Sequence, residues 1–372
     1  MRIAYLAVAE IPSSAAQGIQ VMRMAQAFAE IGHAVTLMVP PSAEEMDAYR
    51  YYGVKPIFDI ERVPRFKLKE LGLFIWGYRA ALASKRLAPD LIYGRQIHGC
   101  FFAALLGHPV ILEIHEPPGS MLSRQLLRRL VWRPEFIRLV TNSAELARIL
   151  KSEFDLPSDK ILAAPNGAED PGEVLGAESR NGNRLQVGYV GHLYRGRGID
   201  LILNIARVCP WADFHLVGGR EEDVEFWRSR SGNLSNVFLH GYVTPATAEQ
   251  HRQACDVLLA PYQRETLTRR MRNQTGYMSP LKLFEYMASG KAILCADLPV
   301  LHEIVSNGRT ALMCDPDRPE EWAEALQRLR KDPNLRHSLA HTARAVFLRD
   351  FTRTARASKI LEGIPIPHGD SA

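Results

Sequence analysis

Residues 15–39 read AAQGIQVMRMAQAFAEIGHAVTLMV, and what surrounds them decides the fold. Ahead of them, Met1–Ala9 (MRIAYLAVA) is apolar almost throughout, as a strand covered on both faces should be. A loop of small residues leads to Gly18, and Gln20–Ile31 then repeats its apolar positions at helical spacing. Gly32–His33 ends that helix and Val35–Val39 reads as a second buried strand. Strand, helix and strand in this order make one β-α-β unit, which predicts a parallel sheet.

The alternation continues outward. Strands are expected at Ile3–Ala9, Asp90–Tyr93, Val110–Ile114, Ile137–Val140 and Lys160–Ala164, with a further amphipathic helix at Ser143–Phe154. It pauses at Pro165–Asn183 (PNGAEDPGEVLGAESRNGN), which is rich in Gly, Pro, Asn and Glu and reads as a linker. Strands resume at Leu185–Val190, Asp213–Val217, Val237–His240, Val257–Ala260, Ala292–Cys295 and Ala311–Met313. The expectation is two Rossmann-like, doubly wound α/β domains, residues 1–170 and 184–345, facing each other across a ligand cleft at the carboxyl ends of their strands. A closing helical stretch, Asn334–Glu362, is expected to cross back through residues 346–364 to the first domain, and the residues after Gly363 to fray.

Composition narrows the function. The 372 residues are 47% hydrophobic and 23% charged, the balance of a core-forming protein. A net charge of +5 suits anionic ligands such as nucleotides or acidic headgroups, and no clustered basic and aromatic module points to nucleic acid. Five scattered cysteines without a C-x-x-C pair support neither a disulfide framework nor a zinc site. The apolar start of the chain is cut off by Glu10, Ile11 and Pro12, too soon for a membrane span. A cytoplasmic protein, soluble or peripheral on a membrane, is expected.

Four segments carry chemistry. The first is the loop before the helix of residues 15–39, where Gly18 lets backbone approach an anion at a helix N-terminus. In VILEIHEPP (110–118), His115 stands just past an apolar strand, at its carboxyl end. In VGYVGHLYRGRGIDLILNIA (187–206), a glycine-rich strand-to-helix turn carries Arg195 and Arg197, whose guanidinium groups can grip phosphate oxygens in pairs. In TGYMSPLKLFEYMASGKAILCADLP (275–299), the first turn Ser279–Lys282 can present backbone N–H groups to a diphosphate, except at Pro280.

With these segments in this order, nearly the whole chain resembles the retaining glycosyltransferases of the GT-B fold, of the family 4 or group 1 type. The resemblance implies a nucleotide diphosphate sugar as donor and a glycan, lipid-linked or small-molecule acceptor. It places Gly18, Arg195, Arg197, Ser279, Leu281 and Lys282 at the donor diphosphate, Glu285 on the ribose hydroxyls, and His115 and Arg197 at the reacting centre. Three positions depart from the family pattern: His192 after the first glycine, Arg197 in place of lysine, and Tyr277 where the first of two spaced glutamates usually stands. The family's His–Asp pair is His115–Glu116 here. Asn166–Gly167 and Glu303 also match recurring family positions but read as structural, a turn and a helix-end carboxylate.

The implied reaction breaks an anomeric carbon–phosphate bond with retention, without a cofactor and without a metal. Helix N-termini and arginines are expected to take the charge that builds on the leaving diphosphate. On the acceptor side, MLSRQLLRRLVW (121–132) sets leucines on one stripe and Arg124, Arg128 and Arg129 on another, and a second basic, aromatic stretch spans Arg65–Arg86. Both suit an anionic membrane surface and equally an ordinary domain helix with a solvated basic face. The alternatives of other classes are a same-fold sugar-nucleotide epimerase and a nucleotide-sugar-binding module without turnover.

Overall fold

The structure is a computed structural model and describes residues 1–13, 15–42, 46–66, 68–172, 184–265 and 275–364. Residues 173–183 of the expected linker and the expected tail beyond residue 364 lie outside the described residues. The chain divides into two compact units. Met1–Pro165 and the chain from Arg353 onward form the first; Asn166–Thr352 form the second.

The first unit is built on seven parallel strands: β1 (Arg2–Leu6), β2 (Ala34–Val39), β3 (Asp59–Arg62), β4 (Leu91–Gly94), β5 (Val110–Ile114), β6 (Phe136–Thr141) and β7 (Ile161–Ala163). Their order across the sheet is β3-β2-β1-β4-β5-β6-β7. The winding reverses between β1 and β4, where Ile3 pairs with Leu91. β4 and β5 are buried along their whole length, which is why LIYG and VILEI read as unbroken apolar runs. Tyr5, Phe28 and Tyr93 lock the helix Ala16–Glu30 onto the sheet, with edge-to-face ring centroids 4.9 Å apart for Tyr93 against each of the other two. The final helix, Arg353–Leu361, packs on that same helix.

The second unit repeats the plan with β8 (Leu185–Val190), β9 (Ala212–Val217), β10 (Val237–Gly241), β11 (Val257–Ala260), β12 (Ala292–Ala296) and β13 (Leu312–Cys314), all parallel, in the order β10-β9-β8-β11-β12-β13. Its winding reverses between β8 and β11. In doubly wound sheets ligands bind at that reversal, outside the carboxyl ends of the strands. Both sheets therefore nominate the segments that follow β1, β4 and β5, and β8 and β11.

One expected element divides. The stretch read as a single helix from Asn334 to Glu362 is a helix Pro333–Val346, a wide π-type turn Phe347–Phe351, and the separate helix Arg353–Leu361. Within the second unit, the turn lies beside the incoming chain: Ala168 N–H donates to Phe351 O at 3.1 Å. The unit boundaries fall at Pro165/Asn166 and Thr352/Arg353, where the sequence places limits at 170 and 184 and at 345.

Candidate active site

In the second unit, the loop Gly191–Gly198 leaves the carboxyl end of β8 and feeds the helix Ile199–Val208. Val190 N–H donates to Tyr286 Oη at 2.9 Å, and Tyr189 Oη donates to His192 O at 2.8 Å, so both ends of the turn are tied to the core. Gly198 caps the helix with φ near 79°, and a Cβ there would sit 2.0 Å from Pro261 O, just after β11. Glycine is required at this position on both counts.

Two cations gather at this loop. Arg197 lays its guanidinium over the Tyr194 ring, 4.5 Å from the centroid, and bonds the Tyr194 hydroxyl. Lys282 sits in the first turn of the helix Leu281–Ala288, whose start no side chain caps. Its Nζ lies 3.4 Å from the centroid of Tyr189. Its stem runs so close to the loop that a Cβ on Gly191 would stand 2.8 Å from Lys282 Cε. Burial, and then the charge of Arg197, push the Lys282 ammonium well below the usual lysine range, with Glu285 partly opposing them. Two like charges and an open helix start make a place that gains by receiving an anion.

The remaining donor-side candidates divide. Glu285 is one helical turn beyond Lys282, its carboxylate 3.5 Å from Arg252 Nη1. Arg252 is itself nearly buried and donates to Glu249 at 2.8 Å. Leu281 opens the helix. Ser279 is spent internally: its hydroxyl accepts from Asn166 N–H and its carbonyl from Asn166 Nδ2, both at 2.8 Å. Arg195 stands apart from Arg197 and Lys282, stacked 4.3 Å from the centroid of Phe226 on the helix Glu221–Ser231. Tyr277 closes the short 3-10 turn Thr275–Tyr277. The acidic pair Asp315 and Asp317 is held by Arg264 at 2.9 and 2.6 Å. Among the described residues, no group of three or more His, Cys, Asp or Glu side chains is gathered as a metal site requires.

In the first unit, Gly18 lies in the first turn of the helix Ala16–Glu30, which has no side-chain cap. A Cβ there would stand 2.5 Å from Tyr52 Oη, so packing against Tyr52 is reason enough for a glycine. His115 follows β5, and its partner is Glu113, two residues before it on the strand, through a short Nε2–Oε1 contact. Arg95, which follows β4, sets its Nη2 2.9 Å from His115 Nδ1 and 3.2 Å from Nε2; only a nitrogen without a proton can accept from it. Burial, and then the nearby Arg95 charge, lower His115 to about 4. Glu113 is held down at about 2, because Arg356 and His115 outweigh the cost of its burial. The imidazole is therefore neutral at neutral pH, and the ionised Glu113 carboxylate, which can only accept, puts its proton on Nε2.

Arg95, Glu113, Arg356 and Arg252 were not among the expected site residues. A charged residue directly after the apolar run of β4, and a lone carboxylate inside β5, were signals for the first two. Nothing local marks Arg356, whose partner Glu113 is 243 residues away.

Residues 184–332 match the family of glycosyl transferases group 1, and residues 17–170 match glycosyltransferase family 4. The chain belongs to these group 1 glycosyltransferases. The second match takes in β2 to β7 with Gly18, Arg95, Glu113 and His115, and the first takes in β8 to β13 with Arg197, Lys282 and Glu285. A D-inositol 3-phosphate glycosyltransferase of Paenarthrobacter aurescens is 24% identical over 253 residues, 63% of this chain and 58% of that protein. One of Stackebrandtia nassauensis is 24% identical over 224 residues, 54% of this chain and 48% of that protein. The chain thus spans about half the length of the curated relatives it matches. Among solved structures, Anabaena HepE in complex with UDP superposes with a TM-score of 0.71 at 16% identity, covering 97% of this chain and 99% of that one. WaaG, a glycosyltransferase of lipopolysaccharide biosynthesis, gives 0.63 at 14% identity, covering 97% and 100%. At these identities the structural likeness is one of fold, the paired Rossmann-like architecture of the GT-B enzymes.

Proposed function

We propose that the protein transfers a sugar from a nucleotide diphosphate sugar to a hydroxyl of a glycan, lipid-linked or small-molecule acceptor, with retention and without a metal. The observation that carries this reading is the convergence of Lys282 and Arg197 beside an uncapped helix start at the end of β8, with Glu285 one turn further on. A diphosphate satisfies both cations and the open helix end, and a carboxylate one turn away suits vicinal ribose hydroxyls. Family membership favours a transferase over an epimerase or a silent binding module. The second unit takes the donor and the first the acceptor.

In this reading the anomeric C–O bond to the diphosphate breaks while the acceptor oxygen attacks the same face of the sugar. The acceptor proton passes to the departing phosphate oxygen, and Arg197, Lys282 and the helix N-terminus hold the diphosphate charge. Both ring nitrogens of His115 are engaged, so His115 meets the sugar as a fixed, neutral surface backed by the Arg95 charge. HepE has been crystallised with UDP-glucose, which makes it the first donor to try. Calorimetry against UDP-, GDP- and ADP-glucose is expected to find one tight binder. Glu285→Gln is expected to weaken that binder about tenfold, roughly 1–2 kcal/mol, because a neutral amide replaces a charged acceptor. No binding to any of the three, or an unchanged affinity in the variant, removes the donor site from this place.

The setting we propose is cytoplasmic, on the inner face of a membrane. Among the described residues, no helix is long and apolar enough to cross a bilayer. The helices Lys69–Ser84, Ile97–Leu105 and Met121–Leu130 pack in sequence on the first unit and expose Leu71, Tyr78, Leu82, Leu105 and Met121, with Trp132 just beyond. The basic stripe contributes less than its spacing suggested: Arg124 pairs with Glu153 and, like Arg128, lies over Phe154. Of the leucines, Leu126, Leu127 and Leu130 are core. Pelleting with anionic vesicles is therefore expected at low salt and to fall on replacing Met121 and Trp132 by Ser together, with donor affinity unchanged. Indifference of the wild type to vesicles assigns a soluble acceptor.

A further inference from the structure

We propose that Arg356, on the helix that returns to the first unit, is a positioning residue: through Glu113 it fixes the tautomer and orientation of His115. The proposal rests on the reading of His115 as part of the transfer site. Glu113 and Arg356 are both fully enclosed, with side chains 0% and 1% exposed. Arg356 donates Nη2 to Glu113 Oε1 at 3.1 Å and Nη1 toward Oε2 at 3.5 Å. Its Nε faces Pro165 O at 3.0 Å and Ala164 O at 3.2 Å, where the chain leaves the unit. The guanidinium fork is thereby held by a carboxylate on one edge and by backbone on another.

The consequence reaches His115 through Glu113 Oε1, which also accepts from the imidazole Nε2. With its proton committed to Nε2, the ring offers the Nδ1 lone pair to Arg95. Arg95 Nε is already 3.7 Å from Glu113 Oε1. While Arg356 neutralises Glu113, Arg95 stays on the imidazole; without Arg356, Arg95 is the nearest remaining cation for a buried carboxylate and is drawn onto it. Nδ1 then loses its donor and the ring its fixed pose. The charged groups that act on the imidazole are Arg95 after β4, Glu113 on β5 and Arg356, and Tyr5 from β1 faces the same three. Burial first, and then the guanidinium charges of Arg95 and Arg356, make His115 resist protonation, with Glu113 opposing them.

A structural role for Arg356 alone would cost stability and nothing else. The test therefore reads His115 directly, by ¹⁵N imidazole NMR across a pH titration of wild type, R356M and R356K, beside turnover of the donor that passes the calorimetric screen. For R356M we expect the imidazole to lose its single tautomer, its protonation midpoint and the acid limb of turnover to rise by about one pH unit, and kcat to fall on the order of a hundredfold. Donor affinity should not change. R356K, which keeps the charge, should keep the low midpoint and recover part of kcat; it also serves if R356M does not fold. An unmoved imidazole titration and an unmoved acid limb in a folded variant overturn the proposal. H115A separates this from failure of the transfer reading: full turnover in H115A sinks the role of His115 itself, whereas inactive H115A with a normal R356M sinks only the positioning role.

Discussion

Lys282→Met is expected to make the ligand-free protein more stable and to weaken its hold on the nucleoside diphosphate by roughly 30- to 100-fold, about 2–3 kcal/mol. The two effects have opposite signs and one cause. Lys282 is half-buried, packed on the Tyr189 ring and placed near Arg197, so its charge is costly until an anion arrives. Methionine keeps the length of the stem against Gly191 without that charge. The same logic gives a pH dependence. Because the folded state lowers the Lys282 pKa, the unfolded chain binds more protons between that lowered value and the ordinary lysine value. Wild-type stability therefore rises with pH through that window, and the variant should lack the rise. Thermal melts with and without UDP check both signs. A variant that is less stable in both conditions shows that the lysine is there for packing.

Gly198→Ala should be strongly damaging to the second unit. The added Cβ would stand 2.0 Å from Pro261 O, against backbone that cannot swing aside, at a φ near 79° that alanine adopts at a cost. Backbone strain and overpacking together predict a loss of about 3 kcal/mol or more. Relief by shifting the loop would carry Arg197 and the start of the helix Ile199–Val208 away from Lys282, so donor affinity should fall even where the fold survives. Denaturant unfolding and calorimetry on the same preparation test this; a drop in stability with intact donor binding would show that the loop does not place Arg197.

The parallel sheets were legible because their strands are buried on both faces and so spell apolar runs. β3 was missed for the converse reason: Asp59–Arg62 (DIER) is an edge strand with no buried residue, and its pairing with β2 leaves no apolar trace. The glycine loop, Lys282 and Glu285 could be singled out as candidates because a strand-to-helix turn confines them to short spans. The roles of individual side chains were less visible. Arg195 and Arg197 are two residues apart on the same loop, yet one stacks on Phe226 and the other on Tyr194, a division set by which aromatic ring each can reach. His115–Glu116 matched a family pair only as sequence neighbours, and nothing in that pattern pointed to Glu113. On a strand, residues two apart share a face, and that brings Glu113 to His115. Asn166 read as a turn, but its contacts with Ser279 span 113 residues and have no local signature.

The first unit is completed by the last helix of the chain, and this orders events at the ribosome. Residues 1–165 emerge first and can begin to collapse as a sheet, but the carboxylate of Glu113 then has no Arg356 to meet it until the second unit has been synthesised. Until then Glu113 has Arg95 and His115 beside it but not its closest guanidinium, while the second unit is made as an uninterrupted segment. A nascent chain that stalls before Arg353 leaves that carboxylate to Arg95 and His115, and it also leaves uncovered the apolar face on which Ala357, Ile360 and Leu361 pack.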